Sequence, residues 1–527
     1  MLHLRPLSSL EKVFHDEAPQ AEFFTGCSFL AGEEVSFQIA FCSDESCAVS
    51  PEITGDGCSA YWVFEIPGGN ARPKGSDNYF LRRKPGLFPD LLRPAVEPLS
   101  VRAGEWHSLW VTLRSDVSQK ITVRLGGEEA VFTFTCIPHQ LPEQTLLCTN
   151  WFHCDGLAQA YDVEPFSEPY WNILEDYVRC AAEHGINLLL TPLFTPPLDT
   201  EIGGERLTTQ LVSVTYGDGQ YIFDFTLLRR WFALCEACGI KAFELSHLFT
   251  QWGAKHAPKI IVNGGRRFGW ETDADGAEYT EFLTQFAAAL LPLLQELSLT
   301  ERCFLHVSDE PSIDDIEVYA RHAALIKQLF PGIKIIDALS DFEFYQRGLI
   351  ERPIPSNDAV TPFIGKVPEL WTYYCGGQRR KYVSNRFFAM PSLRNRVLGL
   401  QLWKFRCTGF LHWGFNFWNT QFSTRPLDPF TCSDAGGGFP SGDSYVVYPG
   451  EDGKPLYSLR LKVFRDALQD VCALNALEEL IGYDAALALV EEGLKPPLTF
   501  SKYPRSEAWL LDVRERINRR IAEEIRL

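Results

Sequence analysis

An α/β fold is what the sequence predicts: a (β/α)8 TIM-like barrel preceded by an N-terminal antiparallel β-sandwich and followed by a C-terminal helical extension. Three observations carry it. Residues 1–140 hold short runs rich in Val, Ile, Phe, Thr and Trp, separated by Gly, Pro, Ser and Asp. From residue 146 a helix, a glycine and an apolar strand recur in that order. After residue 470 only helical spacing remains. The expected domains are therefore 1–140 (sandwich), 146–470 (barrel) and 471–527 (extension).

In the sandwich, "EEVSFQIAFCS", "SAYWVFEIP", "WHSLWVTLRS", "KITVRLGG" and "AVFTFTCIP" have strand composition between turn-forming clusters. "HQLPEQT" (139–145) reads as a linker. In the barrel, "WNILEDYVRCAAEHG" precedes "INLLLTPLF", and "LLRRWFALCEACG" precedes "IKAFELSHLF". The long helix "AEYTEFLTQFAAALLPLLQEL" leads to "RCFLHVSDEP", "IEVYARHAALIKQLFPG" to "KIIDALSD", and "NRVLGLQLWKFRCTG" to "FLHWGFNFW". A doubly wound open sheet is the alternative, but no glycine-rich phosphate loop follows any of these strands. "ALNALEELIGYDAALALVEEG" and "SEAWLLDVRERINRRIAEEIRL" supply the closing helices.

Composition bounds the function. The 527 residues are 46% hydrophobic, 22% charged and 13% aromatic, a folded composition rather than a disordered one. A net charge of −19 speaks against a nucleic-acid partner, which needs clustered Lys and Arg. The longest apolar run is too short to cross a membrane, and the first residues lack a secretory pattern. With 15 cysteines read as reduced thiols, a cytoplasmic location is expected. Cys235 and Cys238 form a lone CxxC without a second ligand pair, so no metal or other cofactor is expected. A homo-oligomer is compatible with the chain.

Barrel enzymes act at the C-terminal ends of their strands. The residues there are Trp151 and His153, Glu244 and His247, Asp309 and Glu310, Asp337, Tyr373 and Tyr374, and His412, Trp413, Asn416 and Trp418. Singly, each has a structural explanation as a helix cap, a core aromatic or a satisfied core histidine. Together they suit a carbohydrate pocket: aromatic faces stack on sugar C–H faces, and Asp, Glu, Asn and His bond hydroxyls.

Asp309 and Glu310 are adjacent, whereas glycosidases normally place two carboxylates on opposite sides of the sugar. Pro311 breaks the strand there, letting both reach one face. Such a pair fits substrate-assisted hydrolysis, where the sugar's 2-acetamido oxygen attacks its own anomeric carbon. One carboxyl then protonates the leaving oxygen, and its neighbour accepts the acetamide N–H. Close carboxylates also raise the pKa of one member.

At these residues the chain resembles glycoside hydrolase family 123 and the related uncharacterised family sharing its C-terminal domain. The resemblance is carried by "AGEEVSFQIAF", "KPGLFPDLLRP", "FELSHLFTQWGA", "HVSDEP", "NRFFAMPSLRNRVLGLQLWKF", "GFLHWGFNFW" and "SGDSYVVYPGEDGKPLYSLRLKVFRDALQD". It implies a retaining β-N-acetylgalactosaminidase with an N-terminal sandwich and its Asp-Glu pair at Asp309 and Glu310. Glu's longer reach and the resemblance together make Glu310 the general acid/base and Asp309 the acetamide orienter. The family's "GDG" reads "GDS" at 442–444, beside the pocket wall. Trp403, Trp413 and Trp418 are the candidate walls of the sugar site; His153, His247, Tyr373, Asn416 and Asp443 are the candidate hydroxyl contacts. The expected ligand is a short oligosaccharide or glycoside with a terminal 2-acetamido sugar. Two alternatives stay open: a hydrolase pairing Glu310 with Glu244 or Asp337 across the sugar (a β-N-acetylglucosaminidase or another β-glycosidase), and a carbohydrate-binding barrel without turnover.

Overall fold

Eight short apolar runs become the staves of one parallel sheet in the computed structural model, which describes residues 1–251 and 253–526. Trp252, inside the quoted "FELSHLFTQWGA", lies outside them. The staves are β1 (Leu147–Asn150), β2 (Leu188–Thr191), β3 (Ala242–Leu245), β4 (Cys303–Leu305), β5 (Lys334–Ala338), β6 (Arg352–Ile354), β7 (Trp371–Tyr373) and β8 (Gly409–His412). Pairing runs β6-β5-β4-β3-β2-β1-β8-β7, all parallel. The remaining seam between β6 and β7 is bridged by Tyr373 N–H to Pro355 O (3.2 Å) and Asn357 N–H to Tyr373 O (2.9 Å). The barrel is thus nearly closed.

Strands this short need buried faces on both sides. Leu188, Leu190, Phe304, Ile336, Trp371 and Leu411 fill the lumen, while the outward set packs on helices including Glu168–Glu183, Thr226–Ala237 and Ala277–Glu296. The helix Glu168–Glu183 stops at Gly185, whose φ of +82° suits glycine, and an added Cβ would sit 2.6 Å from Leu468.

The N-terminal residues build five strands of a seven-stranded sheet and all of a four-stranded sheet, which face each other across Phe37, Phe132, Phe134 and their neighbours. Two features depart from a self-contained antiparallel sandwich. Ser28–Ala31 runs parallel to Glu128–Gln140, and the latter strand takes in the first residues of the expected linker. The larger sheet also accepts Val447–Pro449 and Pro455–Ser458 from beyond the barrel, the second pairing with Gly86–Pro94. The helix Leu459–Ile481 follows directly and runs unbroken across residue 470, where barrel and extension were divided. It packs with Tyr483–Val490 and Glu507–Glu524 over a shared apolar core.

A buried ion cluster ties this junction to the barrel mouth. Arg460 donates to both oxygens of Asp90 (2.7 and 2.9 Å), to Tyr445 O (2.8 Å) and to Gly442 O. Tyr448 adds its hydroxyl to Asp90 at 2.6 Å. The long block "SGDSYVVYPGEDGKPLYSLRLKVF" is therefore one continuous device that hangs residues 442–445 from the sandwich.

Candidate active site

Alternation places Phe304 in the lumen, so His306, two residues on, also points inward. The chain then leaves β4, and Glu310 takes a left-handed φ of +45°. That conformation costs a non-glycine residue about 1–3 kcal/mol, and the following Pro311 disfavours it further. Glu310 N–H holds it by donating to Ala338 O at the end of β5 (3.0 Å). The kink ends strand alternation at the Asp-Glu pair, so the two neighbouring side chains are no longer held to opposite faces.

Beneath the pair lies a charged floor. His306 Nε2 meets Glu244 Oε1 at 2.5 Å and its Nδ1 meets Asp337 Oδ1 at 3.1 Å; all three side chains are fully buried. Glu244 also accepts from Thr149 Oγ1 (2.8 Å) and Trp151 Nε1 (2.6 Å). Asp337 accepts from Tyr319 (2.6 Å) and from the backbone N–H of Val307 (3.0 and 3.1 Å), so it fixes the chain that carries Asp309. Burial opposes charge on His306, but Glu244 and Asp337 outweigh it and raise the imidazole to about 10. The floor is an imidazolium between two carboxylates, and neither Glu244 nor Asp337 has a free face toward a sugar.

The pair itself is asymmetric. Glu310 is exposed and Asp309 half-buried. Burial first, then the charge of Glu310, hold the Asp309 carboxyl well above the usual carboxylate range, with His306 opposing. Tyr373, at the end of β7, donates its hydroxyl to Glu310 Oε1 at 2.5 Å, a length typical of a phenol bonded to a carboxylate. Burial thus favours the neutral form of Asp309, and Glu310 accepts the Tyr373 hydroxyl.

Tyr373 therefore contacts the pair directly. His247 lies on the floor, stacked on His306 with ring centroids 4.1 Å apart. Trp413 is half-buried and donates to Asp443 Oδ2 (3.2 Å). Burial raises Asp443 to about 7, with Trp413 and Arg386 opposing, and its Oδ1 has no hydrogen-bond partner among the described residues. Ser444, the departure from "GDG", is buried behind it, and its carbonyl would lie 2.3 Å from a Cβ at Gly414.

Four expected contacts are corrected. His153 is spent on the protein: Nε2 bonds Trp413 O (2.8 Å), and Nδ1 faces Arg206 Nη2 (3.0 Å), itself paired with Asp155. Burial, then Arg206, push His153 down to about 3. Asn416 exchanges two hydrogen bonds with the His153 backbone (2.8 and 3.1 Å) and so locks the end of β1 to the end of β8. Trp418 donates to Val447 O (3.1 Å) and packs on Tyr177, outside the barrel. Trp403 donates to Glu478 (2.9 Å) and stacks beside Tyr483 in the C-terminal helical core. Trp403→Phe is accordingly expected to lower stability by about 1 kcal/mol, the worth of the lost indole hydrogen bond since Arg406 still pairs with Glu478, and to leave KM unchanged. Thermal melting beside steady-state kinetics checks both halves.

Two participants were missed. His306 stands inside the quoted "FLHVSDEP", and its parity with Phe304 was the available signal. Asp199 sits on the loop after β2, accepting from Phe422 N–H (3.0 Å); burial raises it to about 6, and its charge reaches Asp309. No periodicity marks it.

His247, His306 and Asp337 lie close enough to suggest a metal site. The two rings are stacked with planes 17° apart, so their in-plane lone pairs run parallel and do not converge on one ion. Cys235 and Cys238 are free thiols that burial raises, which disfavours zinc thiolates.

Comparison with known proteins bears on the family and the fold. No curated protein matches the chain. A solved family 123 glycoside hydrolase from Clostridium perfringens, described for glycolipid glycan hydrolysis, superposes with a TM-score of 0.76 at 14% identity, over 100% of this chain and 98% of that one. A family 2 member from Bacteroides cellulosilyticus covers 79% of this chain and 47% of its own at 11% identity, and its TM-score of 0.29 carries no argument. The family description "Glycoside hydrolase 123, catalytic domain" matches residues 151–477, from the end of β1 through the helix Leu459–Ile481. The chain belongs to glycoside hydrolase family 123.

Proposed function

We propose that this glycosidase releases terminal β-linked N-acetylgalactosamine from a short oligosaccharide or glycoside, with retention and with the sugar's own acetamide as nucleophile. The observation that carries the reading is the left-handed Glu310, which releases adjacent carboxylates from opposite faces while Glu244 and Asp337 are consumed by His306. A mechanism with nucleophile and acid on opposite faces has neither of those two carboxylates at its disposal.

The acetamide oxygen attacks the anomeric carbon as the glycosidic C–O bond breaks. Glu310 gives its proton to the departing oxygen, and Asp309 accepts the acetamide N–H, balancing the positive oxazolinium. Water then attacks from the side the leaving group vacated, Glu310 takes its proton, and the ring opens with the β configuration restored. Burial favours the neutral form of Asp309, and a bound acetamide N–H opposes that by favouring its ionised form, the form that balances the oxazolinium.

Tyr373→Phe removes the donor that holds Glu310. The expected result is a loss of about 10- to 100-fold in kcat/KM, the worth of one charge-assisted hydrogen bond, with little change in Tm. Unchanged kinetics would contradict that role.

The reading is tested by assaying nitrophenyl β-N-acetylgalactosaminide, β-N-acetylglucosaminide and β-galactoside. Activity confined to the 2-acetamido sugars, highest on the galacto form, is expected. Equal turnover of the plain galactoside sinks the mechanism, and a preference for the gluco form overturns the sugar assignment alone.

A further inference from the structure

His247 and His306 have no part in the cycle just described. His247 is 1% exposed, and neither ring nitrogen has a hydrogen-bond partner among the described residues. A buried imidazole with both nitrogens idle is unfavourable unless something outside the chain bonds them. Its ring lies face to face with His306, and Trp151 stands edge-on to both, at 5.5 and 6.1 Å. His306 has no freedom to rotate, because Glu244 and Asp337 hold its two nitrogens from opposite sides. Ring nitrogens lie in the ring plane, so a stack that fixes the plane fixes the directions in which His247 donates and accepts.

We propose that His306, clamped between Glu244 and Asp337, is a positioning residue that presents the stacked His247 ring to a hydroxyl group of the bound sugar. The inference rests on the pocket being a sugar site and adds the group that reads a hydroxyl there. The charge state suits the task. Burial first, and then the neighbouring His306 charge, hold His247 well below its ordinary range. The His247 ring is therefore neutral, with one N–H and one lone pair. A hydroxyl can accept from that N–H or donate to that lone pair, while a C–H at the same position can do neither. His306 itself touches no substrate; it acts through the ring it orients.

The test uses full-length protein with 15N-labelled histidine, titrated with free N-acetylgalactosamine and N-acetylglucosamine, alongside kinetics on deoxy-sugar nitrophenyl glycosides. In the wild type, the His247 ring signals should move as sugar binds, and His306 should keep its imidazolium signature from about pH 5.5 to 8. Removing one hydroxyl from the substrate should cost the wild type about 10- to 100-fold in kcat/KM and cost His247→Phe nothing further. His247→Gln, which retains a donor and an acceptor, should recover part of that loss. His306→Gln should raise KM and weaken the same coupling while the protein remains folded by circular dichroism. The inference is overturned if a sugar that binds leaves His247 unmoved, or if every hydroxyl deletion costs His247→Phe as much as the wild type. Turnover of 2-acetamido glycosides with an indifferent His247 sinks this inference alone. A sugar-responsive His247 without turnover sinks the mechanism and leaves the inference standing. Absence of both binding and turnover overturns both.

Discussion

Glu310→Gln lowers kcat by about 10²- to 10⁴-fold on glycosides with poor leaving groups, the usual worth of a positioned general acid. The same variant loses far less on a dinitrophenyl glycoside, whose phenolate departs without a proton. Asp309→Asn separates cleanly from it, because an acetamide orienter is needed whatever the leaving group: activity falls on both substrates by a similar factor. Stability moves the opposite way. Asp309 has a folded-state pKa raised above its ordinary 3.8, so the wild type is fully stable with respect to this group below that pH and loses stability as pH rises through the raised value. Asparagine mimics the neutral carboxyl at every pH. Asp309→Asn is therefore expected to melt above the wild type at neutral pH, and the two curves converge in acid. A parallel fall in stability at all pH values would contradict the buried, proton-holding role of Asp309.

Arg460→Met carries the largest expected effect on stability. Arg460 is 2% exposed and Asp90 fully buried, so the substitution strands a carboxylate that keeps only the Tyr448 hydroxyl as a hydrogen-bond partner. Breaking a buried pair from one side costs about 3–5 kcal/mol, since desolvation of the remaining charge is no longer offset. The variant also loses the bonds to Gly442 and Tyr445 that suspend the segment carrying Asp443. Activity should fall along with Tm, although Arg460 contacts no part of the Asp-Glu pair. Adding Asp90→Asn removes the orphaned charge and should restore part of the stability but little of the activity. Retention of wild-type Tm in Arg460→Met would show that the cluster does not tie the mouth to the sandwich.

The architecture was legible where local patterns are strong. Helix–glycine–strand units marked the barrel because β2, β3 and β5 are short apolar runs that follow the left-handed glycines Gly185, Gly239 and Gly332. β6 was not legible: Arg352–Ile354 is three residues long and flanked by Pro355, with too little sequence for periodicity. The return of 447–458 into the sandwich was hidden for another reason. Strand pairing with Gly86–Pro94 is set by long-range packing and by Arg460 meeting Asp90, neither of which leaves a local trace. At the candidate site, adjacency singled out Asp309 and Glu310 and strand ends singled out Tyr373, which the structure places in hydrogen-bond contact with Glu310. The errors share one cause. Aromatic and polar residues at strand ends, Trp418, His153 and Asn416 among them, were read as facing the ligand when their hydrogen bonds go to Val447 O, to Trp413 O and to the His153 backbone in turn. Trp403 lies on the helix before β8 and faces away from the lumen. His306 carries no mark in the sequence beyond its parity with Phe304, yet it joins Glu244 to Asp337 across the floor.

Substrate assistance is tested most directly by a series of aryl β-N-acetylgalactosaminides whose acetamide carries successively more fluorine. The acetamide oxygen loses nucleophilicity along the series while the leaving group stays the same. If that oxygen attacks the anomeric carbon, kcat/KM falls steeply and monotonically with fluorination, by orders of magnitude across the series. A flat dependence would mean that a protein carboxylate makes the attack and would contradict the role assigned to the Asp309–Glu310 pair.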